Sequence, residues 1–525
     1  MNKLTTTILG LAFLLLPMGT LGDEIEEIIV VGSFELTDAT DVSQDFTIIE
    51  TVMPAMAFTA GGYGGFAGFN ERGTQTVHTT VFRNGVPAND AGSGWYDFGH
   101  DLVSGLEEVK VVSGPNGVLY GSGSLGGTVF VNDSLSNQAV VRLGNEHHTL
   151  VNVTVLDSLS FTHFDVSNGS VRTDNSEEDF YVNSTAKFVK EINGITLATS
   201  YTDYEYDYDN CYTASFSQSN DCMQSGEKVS VSLRNENITV GYNSNNSDYY
   251  TEGVSTFDSD AERWYVDARE VFTIGSPTTD LVIGVTANHD KYAGFDADDL
   301  SAYAMINLDN KLQFGTRVSD DAFIYRGGYA SNGFFVNAST SYRNPTLYEL
   351  NGDAWVQPNS ELDPEEAFGW EVGYLGVTYF NYRFQEGIDY DFSLSQYVNT
   401  GAYDSRGLRY MDQYQVPWGS FSVVAGYTDT DQPRVPKYKG RFSYFISVAE
   451  TQYELVYTAQ FDRQPGPYDG EFLEDVKTVD FVVTRDISSR LAVNLTVQDL
   501  FNKEIEILPG YGAGGRNVFL TLTYR

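Results

Sequence analysis

The sequence predicts an all-β chain: a transmembrane antiparallel β-barrel of 22 strands, occluded by a small N-terminal α/β domain. Three observations carry that reading. From about residue 138 to the end, short segments alternate apolar and polar residues. The first hundred residues behind an export leader are rich in Gly and show no such alternation. The alternating region is too long for a single β-sandwich core.

The leader is MNKLTTTILGLAFLLLPMGTLG, with Lys3, an apolar run from Ile8 to Leu16, then Pro17 and small residues up to Gly22. This is the shape of a secretory signal, and the run is too short for a spanning helix. No later stretch reaches 18 consecutive apolar residues, so the exported protein is expected to have no helical anchor.

In the alternating part, Val151, Val153 and Val155 share one strand face, with Asn152 and Thr154 on the other. Leu491, Val493, Leu495 and Val497 repeat the pattern against Ala492, Asn494, Thr496 and Gln498, as do Val518, Leu520, Leu522 and Tyr524. One face is apolar and the second is Asn, Thr, Ser or Gln, with Tyr and Phe near strand ends. That suits lipid outside and water inside. Residues 134–525 leave roughly 18 residues per strand with its connection if there are 22, and a smaller number of strands also fits. The expected domains are a signal at 1–22, an extended segment at 23–35, the α/β plug at 36–133 and the barrel at 134–525.

The full sequence carries a formal charge of −41, from 72 acidic and 31 basic residues. Nucleic acid is therefore excluded as a partner, and cations or ligands that carry them are favoured. Residues 121–126, GSGSLG, spell the G-x-G-x-x-G of a dinucleotide fingerprint, but Gly127-Thr-Val-Phe-Val131 follows, a strand where the fingerprint needs a helix. No nucleophile with an adjacent base is evident, and the six histidines are scattered. The chain is expected to be no enzyme and to need no cofactor.

With the plug segments in view, the residues resemble the TonB-dependent outer-membrane receptor family. Glu26, Glu27, Ile28, Ile29, Val30 and Val31 look like the TonB box, the strand that pairs with TonB. Arg72-Gly73, then Val81-Phe82-Arg83-Asn84-Gly85-Val86-Pro87, then Gly114-Pro115, Tyr120-Gly121 and Gly126-Gly127 are similar to the plug motifs, in the family's order. Tyr342-Arg343-Asn344-Pro345-Thr346-Leu347-Tyr348-Glu349-Leu350, Leu362-Asp363-Pro364-Glu365, Asp499-Leu500-Phe501-Asn502 and Gly515-Arg516 resemble the barrel motifs. Two departures stand out: Ser113 replaces the usual Arg before Gly-Pro, and the chain ends on Tyr524-Arg525 where an aromatic is usual.

The resemblance implies a monomeric receptor in the outer membrane, held in its lipid, that imports a scarce ligand with energy relayed by TonB. A ferric siderophore is the first expectation and cobalamin the second. Haem fits less well, because no His lies between 342 and 364. A plugged barrel acting as a passive pore or adhesin is the alternative from another class. By the same analogy the ligand meets Tyr63, Phe66, Phe69, Trp95, Tyr96 and His100 at the plug apex, where aromatic faces suit a bulky ligand.

Two local features complete the reading. Cys211 and Cys222, close together in a polar loop of an exported chain, predict a disulfide. In YTDYEYDYDNC, alternation puts Asp203, Glu205, Asp207 and Asp209 on one strand face opposite Tyr204, Tyr206 and Tyr208. These carboxylates read either as a Ca²⁺ site in an extracellular loop or as a solvated acidic strand end, with Asp296, Asp298 and Asp299 a second, weaker group.

Overall fold

The computed structural model describes residues 33–36, 57–59, 64–69, 71–101, 106–145, 147–169, 178–213, 215–275, 279–309, 311–433, 435–463, 473–503, 505–508, 510–512 and 515–525. The leader, residues 26–31 and Tyr63 lie outside them. Twenty-two antiparallel strands close into one barrel, from Gln138–Gly144 to Asn517–Tyr524, which pair through Thr521 opposite Arg142. The period-two pattern accounts for the wall. Val153, Phe161, Leu495 and Leu522 are exposed on its outer surface. Asn152, Thr154, Thr162, Asn494 and Thr521 are buried on the inner side, where Asn152 Nδ2 donates to Ser160 Oγ (2.8 Å) and Thr162 Oγ1 (2.9 Å). With no water in the hydrocarbon layer, a closed sheet is what satisfies every backbone group.

Strand length departs from the expected ten or so residues. Between 178 and 308 the strands run 13 to 20 residues, the longest being Val254–Thr273. At about 3.4 Å per residue and a tilt near 40°, 14 residues rise roughly 36 Å, above the ~25 Å apolar band of such barrels. On this side the wall itself stands up as a vestibule. Its hairpins close tightly at both ends: Asn193–Gly194 (φ 54° and 77°) and Asn332–Gly333 (53° and 76°) at one, Glu252–Gly253 (53° and 71°) and Ala293–Gly294 (49° and 86°) at the other. Paired positive φ values are the type I′ turn, whose twist matches that of the strands it joins. The longest connections, 209–221, 344–364, 386–402 and 499–516, all lie at the second end. Short periplasmic turns and longer outer loops make that end the extracellular one.

Inside sits the plug sheet, in the order Ser33–Leu36, Leu106–Ser113, Gly127–Asp133, Thr79–Arg83, Val86–Pro87. Thr79–Arg83 runs parallel to Gly127–Asp133, and the other pairs are antiparallel. The G-x-G-x-x-G lies between two of these strands, after one turn of helix, Gly117–Tyr120. Gly121 (φ 77°) reverses the chain there. A Cβ on Gly126 would stand 2.4 Å from Thr74 Oγ1, so only glycine lets the backbone approach that closely. Barrel residues grip this loop: Arg317 Nε donates to the Val118 carbonyl and Nη2 to that of Leu119, both at 2.9 Å. Ser339 donates to the Pro115 carbonyl, and Ser341 to that of Ser124 at 2.8 Å. The glycines hold a stopper against its wall.

Candidate functional site

Two constructions matter: the seat that fixes the plug and the cavity above it. In the seat, Arg72 (φ 52°) reaches Glu371 and Tyr382 on neighbouring wall strands, with its guanidinium 4.9 Å from the Phe380 ring centroid. Arg72 and Glu371 are both buried. Ser113 brings no positive charge to the wall. Glu371 Oε2 is left without a hydrogen bond.

A second seat forms at Asp133, the last residue of its plug strand. Its carboxylate accepts from Arg83 Nη2 (3.1 Å), Asn84 Nδ2 (2.8 Å) and, from the wall, Lys187 Nζ (3.0 Å). The third is a chain of charge: plug His78 Nε2 lies 3.1 Å from Glu365, which contacts Arg343, which in turn holds Glu349 through two bonds of 2.9 and 3.0 Å. Glu349 also completes the capping box of the helix Leu347–Asn351 with Thr346. The mid-barrel motif thus shapes an outer loop and ties it to the plug.

Above the seat, on the extracellular side, is a cavity of about 610 Å³ between plug, tall wall and outer loops. The plug contributes Phe66, Trp95, Tyr96 and His100, the wall Tyr204, Tyr206, Tyr208, Tyr249 and Tyr292, and the loops Tyr348, Tyr390 and Tyr397. Phe66 and Trp95 lie 5.4 Å apart by centroid, and Trp95 is 49 % exposed. His100 stacks on Tyr204 at 3.6 Å. Burial, with Lys228 second, drives the His100 imidazole well below its ordinary pKa. It is neutral at pH 7, so its 3.5 Å approach to Asp97 is a polar contact and not an ion pair. Burial raises the Asp97 carboxyl, although Lys228 and the backbone N–H groups of Ala67 and Gly99 work against it. Asp97 thereby caps one plug turn and ties it to another.

The apex residues expected from the sequence therefore divide. Phe66, Trp95, Tyr96 and His100 line the cavity, whereas Phe69 is 1 % exposed and is not among its lining residues. Residues 67–69 form a strand whose every position is buried. The expected row of four carboxylates is corrected. Asp203 and Glu205 are exposed on the outer wall and Asp207 is half-buried, but the strand ends at Tyr208 and Asp209 is buried. Among the described residues no three His, Cys, Asp or Glu side chains are grouped to hold a metal ion. Tyr204, Tyr206 and Tyr208 share one face, as alternation puts them, and that face is the inner one. The wall and loop tyrosines beyond 208 had no signal in the linear sequence, since closure of the barrel brings them together.

Cys211 and Cys222 are joined by a disulfide, with Cα atoms 6.0 Å apart. It closes the loop that carries Phe216, whose ring lies 5.0 Å from that of Trp355 on the loop 352–357. Replacing both cysteines by Ser is expected to leave barrel melting within about 2 °C, because the bridge closes a short rim loop and meets the wall only at Cys222, the end residue of one strand. The loop itself should become protease-sensitive; unaltered cleavage kinetics between 211 and 222 would refute this.

A closed 22-strand wall enclosing an N-terminal plug, with the ligand-sized cavity on its outer side, is the architecture of an outer-membrane TonB-dependent receptor. Residues 27–128 match the family model of the TonB-dependent Receptor Plug Domain. Solved structures with the same fold include the ferric enterobactin receptor PfeA from Pseudomonas aeruginosa in complex with enterobactin, at 13 % identity and TM-score 0.70, covering 95 % of this chain and 100 % of that one. The siderophore receptor PirA from Acinetobacter baumannii is similar at 14 % identity and TM-score 0.69, covering 95 % and 100 %. The copper transporter OprC is similar at 12 % identity and TM-score 0.70, covering 95 % and 99 %.

Proposed function

We propose that this receptor binds a ferric siderophore at the aromatic cavity and delivers it to the periplasm when TonB, paired with residues 26–31, pulls on the plug. The observation that carries the reading is the composition of the cavity. It joins rings from the plug to rings from the wall, so plug displacement necessarily dismantles it. Withdrawing Tyr96 and His100 from Tyr204 would break the 3.6 Å stack and the cavity floor together. Affinity thereby becomes a function of plug position, which is what a carrier needs and a static binder does not. No bond is made or broken in the ligand. The named siderophore receptors of the same fold support the choice of ligand class.

Deleting residues 26–32 is the test. Surface binding of a radio-iron chelate should be retained within about threefold while uptake falls at least about tenfold, because strand addition outside the barrel contributes nothing to the outer cavity. Undiminished uptake would refute the energised-transport reading.

A further inference from the structure

The charges around the cavity define the ligand further, on the reading that it is a ferric chelate. Among the described residues lining the cavity, six are carboxylates (Asp90, Asp97, Asp101, Glu262, Glu349, Asp389) and four are cations (Arg83, Lys187, Lys228, Arg263). The cations are already engaged. Arg83 and Lys187 share Asp133, and Arg83 also meets Asp101 at 2.9 Å. Arg263 makes two 2.7 Å bonds to Asp290 and donates to the Asn89 carbonyl. Lys228 donates to the Asp97 carbonyl at 3.2 Å and lies 5.8 and 5.9 Å from the Tyr96 and Tyr204 ring centroids. A polyanion entering here would meet surplus negative charge with one ammonium, Lys228, turned toward it.

The outer face of the wall below the rim is acidic too. On the outer wall Asp203 stands opposite Glu227, and Asp248 opposite Asp258, all exposed below the rim. The whole sequence carries −41. Long-range potential and local charge act in the same direction, against anions and in favour of neutral or cationic ligands.

We propose that the cavity selects chelates of zero or positive net charge. Three hydroxamates around Fe³⁺ sum to zero, whereas three catecholates leave the complex at −3, so the class admitted is the ferric tris-hydroxamate. Recognition then rests on ring stacking, with Lys228 and the tyrosine hydroxyls donating to the chelate's carbonyl oxygens. With Glu349 paired to Arg343, five lining carboxylates face four cations, and a trianion in this wet site is disfavoured roughly tenfold at physiological salt.

The experiment is isothermal titration calorimetry on the detergent-purified full-length chain, using a neutral ferric tris-hydroxamate and a ferric tris-catecholate in about 0.15 M salt. The hydroxamate is expected to bind at least about tenfold more tightly. Asp389→Lys, at an exposed rim position, should raise catecholate affinity about tenfold relative to hydroxamate affinity. Tighter binding of the catecholate by the unaltered protein, or no response of its affinity to Asp389→Lys, overturns the charge selection while leaving the siderophore receptor intact. Binding of neither chelate overturns both.

Discussion

Replacing Arg72 by Ala is expected to weaken plug seating by about 3 kcal/mol or more, because it strands the Glu371 carboxylate in a buried site. One oxygen of Glu371 already lacks a hydrogen bond, and Ser113 brings no second positive charge to it. The loss of Arg72 would leave Glu371 with the Tyr382 hydroxyl that donates to it and the more distant Arg326 guanidinium of the wall. The measurements are ion leak through the purified protein in planar bilayers and protease cleavage of the plug, both of which should increase. Glu371→Gln in the Arg72→Ala background should recover at least about 1 kcal/mol, since it removes the stranded charge. A double variant as leaky as the single one would mean that Arg72 acts through its packing on Phe380.

Replacing Asp133 by Asn has a comparable expected effect, about 3 kcal/mol, by a different route. It leaves the buried Lys187 ammonium of the wall facing an amide, with Arg83 keeping Asp101. The pH dependence follows from the same geometry. Burial pushes the Asp133 carboxyl up, but Arg83 and Lys187 together outweigh it and hold the group at about 2. The unfolded value is about 3.9. A group whose pKa falls on folding stabilises the folded state above the unfolded value, and that contribution is lost as pH falls through the folded one. The plug seat should therefore be constant above about pH 5 and lose about 2 kcal/mol between about pH 4 and pH 2. The Asp133→Asn substitution should abolish that acid-dependent portion of plug release; an unchanged acid profile would show that another carboxylate governs it.

These seats mark the boundary of what the linear sequence makes legible. The wall is legible because alternation is local: Val153 and Asn152 disclose their faces within a single strand. That Tyr204, Tyr206 and Tyr208 share one face is legible for the same reason; that this face is the inner one is not. The acidic row fails at its end, because alternation holds only while the strand lasts, and the strand stops at Tyr208. Arg72 and Glu371 are 299 positions apart. Their meeting depends on strand register and barrel closure, neither of which is written in any short segment. The same holds for Tyr249, Tyr292 and Tyr397, which reach one cavity from separate parts of the barrel. Arg343 and Glu349 could have been paired from their spacing, since a Thr-x-x-Glu capping box fixes the helix that brings Glu349 back toward the strand end.

The two-residue turns that close the tall strands, Glu252–Gly253 and Ala293–Gly294, have a consequence for how the surface can evolve. A rim made of hydrogen-bonded hairpins offers few positions where residues can be inserted without breaking the ladder beneath. Drift under pressure from antibodies or phages is therefore channelled into the longer connections, 209–221 on the tall side and, away from it, 344–364, 386–402 and 499–516. Of these, 344–364 and 386–402 also carry Tyr348, Tyr390 and Tyr397 of the cavity. In this molecule escape from recognition and retention of the ligand compete for the same loops. An epitope tag placed in either should reveal that conflict sooner than one placed anywhere else on the rim.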